Sequence, residues 1–153
     1  VYRVAGRDLY FLDTPIVLYC FDHGDPRKQL QAKELLTHAA SSGLGVVSYQ
    51  VLQEFCNVAT SSKTLGVSIE RCMAYVNQLL QPISKVSPSP ALLEKALYIR
   101  HQTHYSFHQS LMIACAIEAG CNTLYSEDMQ HHHMVSGVRI VNPFLQVAQS
   151  PGA

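Results

Sequence analysis

Asp13, Glu54 and Asp128 are the side chains in this sequence whose type and placement best suit them to chemistry. Asp13 follows the apolar run Leu9-Tyr10-Phe11-Leu12, Asp128 closely follows Asn122-Thr123-Leu124-Tyr125, and Glu54 lies a few residues beyond Gly45-Val46-Val47-Ser48. If each run is a strand of an open parallel sheet, the three acids lie toward its carboxyl edge, where such sheets form their functional crevice. Carboxylates gathered there repel one another unless a cation stands between them. A hard divalent ion such as Mg²⁺ or Mn²⁺ prefers oxygen donors, and held in this way it activates water for attack on a phosphodiester and stabilises the leaving oxygen. Acids at strand ends also serve as caps and turn residues, and Glu54 would equally suit a solvated helix face. On residue type alone both readings stay open.

The elements that must position these acids are legible from periodicity. Leu9 to Leu12 reads as a buried strand, followed by an apolar helical stretch from Ile16 to Phe21 with Pro15 at a first-turn position. Gly24-Asp25-Pro26 marks a loop. From Lys28 to Ala40, the residues Ala32, Leu35, Leu36 and Ala39 form one face of an amphipathic helix that Gly43 ends. A strand at Gly45 to Ser48 leads into a helix capped by Ser48, with Val51, Leu52, Phe55 and Val58 on one side and Gln50, Glu54 and Asn57 on the other. A helix from Ser68 to Leu80, a strand at Ile83 to Val86, and a helix opened by Ser87-Pro88-Ser89-Pro90 and reaching about His101 come next. A helix from about Gln109 to Glu118 is apolar nearly all round, which implies burial on several sides. Strands at Asn122 to Tyr125 and Val138 to Val141 complete the pattern. Short strands alternating with helices specify an α/β fold with a parallel sheet covered on both faces.

Composition narrows the function classes. The chain has 153 residues and 48% hydrophobic content, enough for one domain with a real core. Eleven basic residues balance eleven acidic ones, so no global positive field draws in nucleic acid, and RNA binding must come from a local patch. The basic residues are dispersed, with Lys63 and Arg100 the best placed for phosphate contacts. No apolar stretch is long enough for a membrane helix, and the first residues lack a secretory pattern, so a cytoplasmic protein without a membrane partner is expected. The five cysteines (Cys20, Cys56, Cys72, Cys115, Cys121) show no CxxC spacing and read as reduced, largely buried thiols rather than as a disulfide framework or a zinc ribbon. The run His131-His132-His133 reads as a polar loop.

Five segments, in order, resemble a PIN domain of the VapC toxin type: Phe11 to Tyr19, Ser48 to Phe55, Ser106 to Leu111, Cys121 to Asp128 and Val141-Asn142-Pro143-Phe144. The resemblance implies a three-layer α/β/α fold with a central, mostly parallel, short-stranded sheet. It also implies a metal-dependent endoribonuclease that holds Mg²⁺ or Mn²⁺ on a few acids, usually forms a homodimer, and is usually silenced by a small antitoxin protein. Carried over by position, Asp13, Glu54 and Asp128 match metal-binding acids, and Ser126 matches a hydroxyl position beside the last. The domain is expected to fill residues 1 to 153 with its core at 9 to 144, and residues 1 to 7 and 150 to 153 read as tails.

The departures from the family pattern fall at the same site. Where the family typically has Ser-Phe-Trp-Asp-Ala, this chain has Ser106-Phe107-His108-Gln109-Ser110, and the family's Asp-Thr-Asn is Asp13-Thr14-Pro15. Gln109 therefore stands in the place of a catalytic acid. It can offer a carbonyl oxygen to a metal but no charge, which weakens binding of a hard cation, or it can cap its helix. His108 either fills the Trp space as a packed ring or becomes a new ligand favouring softer metals. Two functions follow: an endoribonuclease weakened at Gln109, or a catalytically silent PIN domain that binds an antitoxin-like partner or RNA.

Overall fold

The computed structural model describes residues 8–145; the expected terminal tails lie outside that range. Tyr10–Leu12 (β1) and Gly45–Ser48 (β2) are buried at every position, as continuous apolar runs in a doubly covered parallel sheet must be. The other strands are Ser84–Val86 (β3), Thr123–Tyr125 (β4), Met134–Val135 (β5) and Val138–Val141 (β6), and the six form one sheet in the order β3-β2-β1-β4-β6-β5. Every pairing is parallel except β5 with β6. From β1 the chain first builds outward through β2 to β3, then returns to add β4 and β6 on the other side. The strand order therefore reverses between β1 and β4, and a crevice opens beyond their carboxyl ends.

The helices begin where their caps dictate. Thr14–Tyr19 (α1) starts directly after Asp13, whose carboxylate accepts from the Thr14 amide, with Pro15 in the first turn. It opens two residues earlier than the apolar stretch suggests because the cap is the acid itself. Pro26–Ser42 (α2) is capped by Asp25 and ended by Gly43 at φ 70°, a conformation glycine adopts without strain. Tyr49–Ser61 (α3) is capped by Ser48 and buries Val51, Leu52, Phe55 and Ala59.

The helix expected from Ser68 to Leu80 is broken into Ile69–Tyr75 (α4), a π-helical turn over Val76–Leu80, and Gln81–Ile83 (α5). Pro82 has no N–H to return to the preceding turn, and the wider π turn accommodates the loss. Pro90–Thr103 (α6) is capped by Ser89 and ends at His104 in the left-handed region.

Phe107–Glu118 (α7) buries every residue from Ser110 to Ala116. It begins two residues ahead of the expected Gln109. Strand β5 was not evident in the sequence; two residues carry no periodicity, and the signal lies in the turn, where Ser136 and Gly137 both have positive φ. The five cysteines are free thiols, Cys56 half-buried and the rest buried. Among the described residues, no helix is long and apolar enough to cross a membrane.

Candidate functional site

Asp13 leaves the end of β1 into the crevice beside β4, and its backbone N–H donates to the Tyr125 carbonyl, extending the sheet by one rung. Its side chain is 3% exposed. One carboxylate oxygen, Oδ1, accepts from the Thr14 amide at 2.8 Å, and the other, Oδ2, accepts from the buried Ser126 hydroxyl at 2.9 Å. Burial pushes the Asp13 carboxyl up to about 6; the bonds from Ser126 and Thr14 and the nearby His108 pull it back, and Asp128 raises it further. A carboxylate stripped of water in this way is stabilised by any cation that can reach it.

Glu54 comes from the second turn of α3 and is half-buried, with Oε2 accepting from the Thr14 hydroxyl at 3.0 Å. Thr14 thus touches both acids, its amide on Asp13 and its hydroxyl on Glu54. Sequence reasoning passed over Thr14 as a site residue, although a polar side chain directly after a strand-end acid was a usable signal. Asp128 is exposed in the loop after β4, with its amide donating to Ser126 Oγ at 3.3 Å. Ser126 therefore accepts from one acid's backbone and donates to the other acid's carboxylate, which ties the two strand ends together.

His108 is not packed as a buried ring. It is 45% exposed, with Nε2 3.0 Å from Glu54 Oε2 and 4.0 Å from Asp13 Oδ1. Gln109 takes up the capping role that the sequence left open. Ser106 Oγ accepts from the Gln109 amide at 3.1 Å, and Gln109 Oε1 accepts from the Ser106 amide at 3.0 Å, which together make a capping box. The remaining side-chain atom of Gln109, Nε2, donates to the Asp128 carbonyl at 3.1 Å. Its oxygen is thereby committed to the backbone rather than turned to a metal.

A second polar group lies beside the loop. Lys28 on α2 pairs with Glu127 and also donates to the Tyr19 hydroxyl, which itself bonds Glu127. This triad engages both carboxylate oxygens of Glu127, and it was not legible in the sequence because Lys28 and Tyr19 lie 99 and 108 residues from Glu127. The histidine run is held more firmly than a polar loop requires: His131 Nδ1 accepts from the Asn142 amide at 3.0 Å, and His133 Nδ1 bonds the Tyr105 hydroxyl at 2.6 Å. Lys63 and Arg100 are exposed, and among the described residues neither pairs with Asp13, Glu54 or Asp128.

The donor set suits a hard divalent cation in its chemistry: three carboxylates, one of them buried and destabilised as an anion by that burial. The fit is incomplete in its assembly. Among the described residues, no three or more His, Cys, Asp or Glu side chains stand gathered as a cluster able to hold a metal ion.

A PIN domain family model matches residues 10–135. Among solved structures, the chain is similar to the Mycobacterium tuberculosis toxin VapC20, described as cleaving the sarcin-ricin loop. The two are 24% identical over 78% of this chain and 89% of the other, with a TM-score of 0.57. It is also similar to FitAcB from Neisseria gonorrhoeae, with 13% identity over 88% of this chain and 98% of the other and a TM-score of 0.58. A search of curated proteins finds no match. The structural likenesses establish the α/β fold and its mostly parallel sheet.

Proposed function

Since the chain belongs to the PIN domain family, we propose that it is a metal-dependent endoribonuclease of the VapC toxin type, cytoplasmic, homodimeric and paired with an antitoxin-like protein. The observation that carries this reading is the buried Asp13 carboxylate, held by Thr14 and Ser126 with Glu54 and Asp128 beside it. The VapC20 neighbour, a toxin that cleaves RNA, supports the same substrate class.

In this reading Asp13, Glu54 and Asp128 hold Mg²⁺ or Mn²⁺. The ion would supply an activated water and charge stabilisation for the leaving oxygen of the phosphodiester. The chain's own residues do the positioning. Ser126 fixes one oxygen of Asp13, Thr14 fixes the other, and the Thr14 hydroxyl keeps the Glu54 carboxylate facing the same crevice. Gln109 ties the first turn of α7 to the loop carrying Asp128.

In this reading a partner segment docks away from the carboxylates. A cleft of about 400 Å³ between α1, α2 and α4 has an apolar floor of Phe21, Leu36, Tyr75 and Leu79, with Lys33 and Arg71 at its lining. An amphipathic helix with acidic flanks fits that surface.

The second reading, a silent PIN domain that binds a partner or RNA, is favoured by one observation: both side-chain polar atoms of Gln109 are already committed. The test is cleavage of a structured RNA in Mg²⁺ and in Mn²⁺ by the chain, by Gln109→Asp, and by Asp13→Ala as the blank. The expected result is cutting by the chain above the blank, with Gln109→Asp faster because it restores a fourth charge. If only Gln109→Asp cuts, the silent reading holds; if neither cuts, the nuclease assignment fails.

A further inference from the structure

Two carboxylates that should attract an ion are already engaged by a side chain of the same molecule. His108 Nε2 lies 3.0 Å from Glu54 Oε2 and 4.0 Å from Asp13 Oδ1, so the ring occupies the mouth of the site. Distance alone admits two roles, because two ligand atoms placed cis about an octahedral ion at bond lengths of about 2.1 Å are also roughly 3 Å apart. Three further observations separate them.

A histidine that ligates a metal almost always donates its other ring N–H to a carboxylate, a carbonyl or a water that fixes the ring. Among the described residues, no protein group bonds His108 Nδ1. The ring is 45% exposed and sits in the first turn of α7, which Ser106, Gln109 and the Asp128 carbonyl hold in place. It can therefore swing out into solvent by side-chain rotation with no movement of the helix. Finally, among the described residues no three or more His, Cys, Asp or Glu side chains stand gathered as a metal-holding cluster, so His108, Glu54 and Asp13 are not arranged as a ligand set.

We infer that His108 is a tethered competitor of the metal: its ring donates Nε2–H to Glu54 and keeps the carboxylate pair closed until a divalent cation displaces it. A neutral imidazole suffices for this, since its single N–H can be the one that faces Glu54. The inference rests on the proposed reading of Asp13 and Glu54 as a cation site. It adds that this chain spends part of its metal affinity on expelling its own side chain. His108 is on this account a positioning residue, acting on the carboxylates and not on RNA.

The experiment is calorimetric titration of MnCl₂ into the full chain, His108→Ala and Asp13→Ala at one pH, with circular dichroism confirming that each is folded. Loss of one competing hydrogen bond predicts that His108→Ala binds Mn²⁺ roughly two- to tenfold more tightly than the parent. Weaker or unchanged binding by His108→Ala, with binding lost in Asp13→Ala, overturns the competitor role alone and leaves the cation site standing. Equal binding by the parent and Asp13→Ala overturns both. A second readout is independent of any variant: the ¹⁵N resonances of the His108 ring, followed during addition of diamagnetic Mg²⁺. Displacement moves Nε2 from its hydrogen-bonded position toward that of a free ring, and a resonance that stays fixed as Mg²⁺ saturates the site overturns the proposal.

Discussion

Asp13 carries the main electrostatic cost of the site, and that cost makes a prediction about stability. Its carboxyl titrates near 6 in the folded chain because burial disfavours the anion, against an ordinary aspartate value near 3.8. A group raised on folding favours the folded state fully below its unfolded value, and that contribution is lost as the pH rises through its folded value. Asp13→Asn keeps a side-chain oxygen to cap α1 but never ionises. The variant should therefore melt at a higher temperature than the parent at pH 7 to 8, with the advantage shrinking as the pH falls from about 6 toward 4. Scanning calorimetry across that range checks it, and a constant difference would mean that Asp13 is not strained by burial. Addition of Mn²⁺ should raise the melting temperature of the parent and leave Asp13→Asn unmoved, since only the parent presents a buried charge for the ion to neutralise.

At the level of helices and strands, the close seating of α2 on β2 depends on a position with no side chain. A methyl group at Gly45 would lie 2.2 Å from Ala39 Cβ and 2.7 Å from its Cα, and 3.0 Å from Tyr10 Cε2. Two of those contacts are with a small rigid residue that cannot turn away, so α2 must shift. Gly45→Ala is expected to lower stability by about 1 to 3 kcal/mol, the usual cost of overpacking, read from urea unfolding midpoints. A midpoint unchanged from the parent would show that α2 can slide on the sheet.

The same scale explains what could be read from the sequence. Ser48 and the apolar face of Val51, Leu52 and Phe55 announced α3 because a cap and a periodicity agreed there. The start of α7 was misplaced although Ser106 and Gln109 form the Ser-x-x-Gln signature of a capping box; the apolar run began later and drew attention from the cap. The π turn at Val76–Leu80 leaves no mark in hydrophobic spacing, because its residues remain consistent with a helix. Asp13 and Asp128 stood out as candidates because each follows a strand, whereas Ser126 entered only through the family resemblance and shows its bond to Asp13 in the fold alone. The orientation of His108 was not legible, since which way a first-turn side chain points depends on Glu54, distant in sequence on α3.

At the level of the complete chain, the proposed homodimer makes a prediction about α6. Leu93, Leu97 and Tyr98 of α6 are 45%, 57% and 61% exposed, while α6 buries Leu92, Ala96 and Ile99 inward. Leu93 and Leu97 lie one helical turn apart with Tyr98 adjacent, and a contiguous exposed apolar patch suits an interaction site; a formal net charge of zero sets no long-range repulsion against a second copy. Light scattering behind size exclusion at micromolar concentration is expected to give twice the 17.0 kDa of one chain. Leu97→Glu places a charge on that exposed apolar face and should weaken the proposed dimer on the order of a hundredfold, enough to give a monomer peak. Because Leu97 lies outside the carboxylate site, the variant also isolates the assembly from the chemistry. Mn²⁺ binding that survives in the Leu97→Glu monomer would place the whole cation site within one chain, and binding lost together with the dimer would mean that the partner copy helps to hold Asp13 and Glu54 in register.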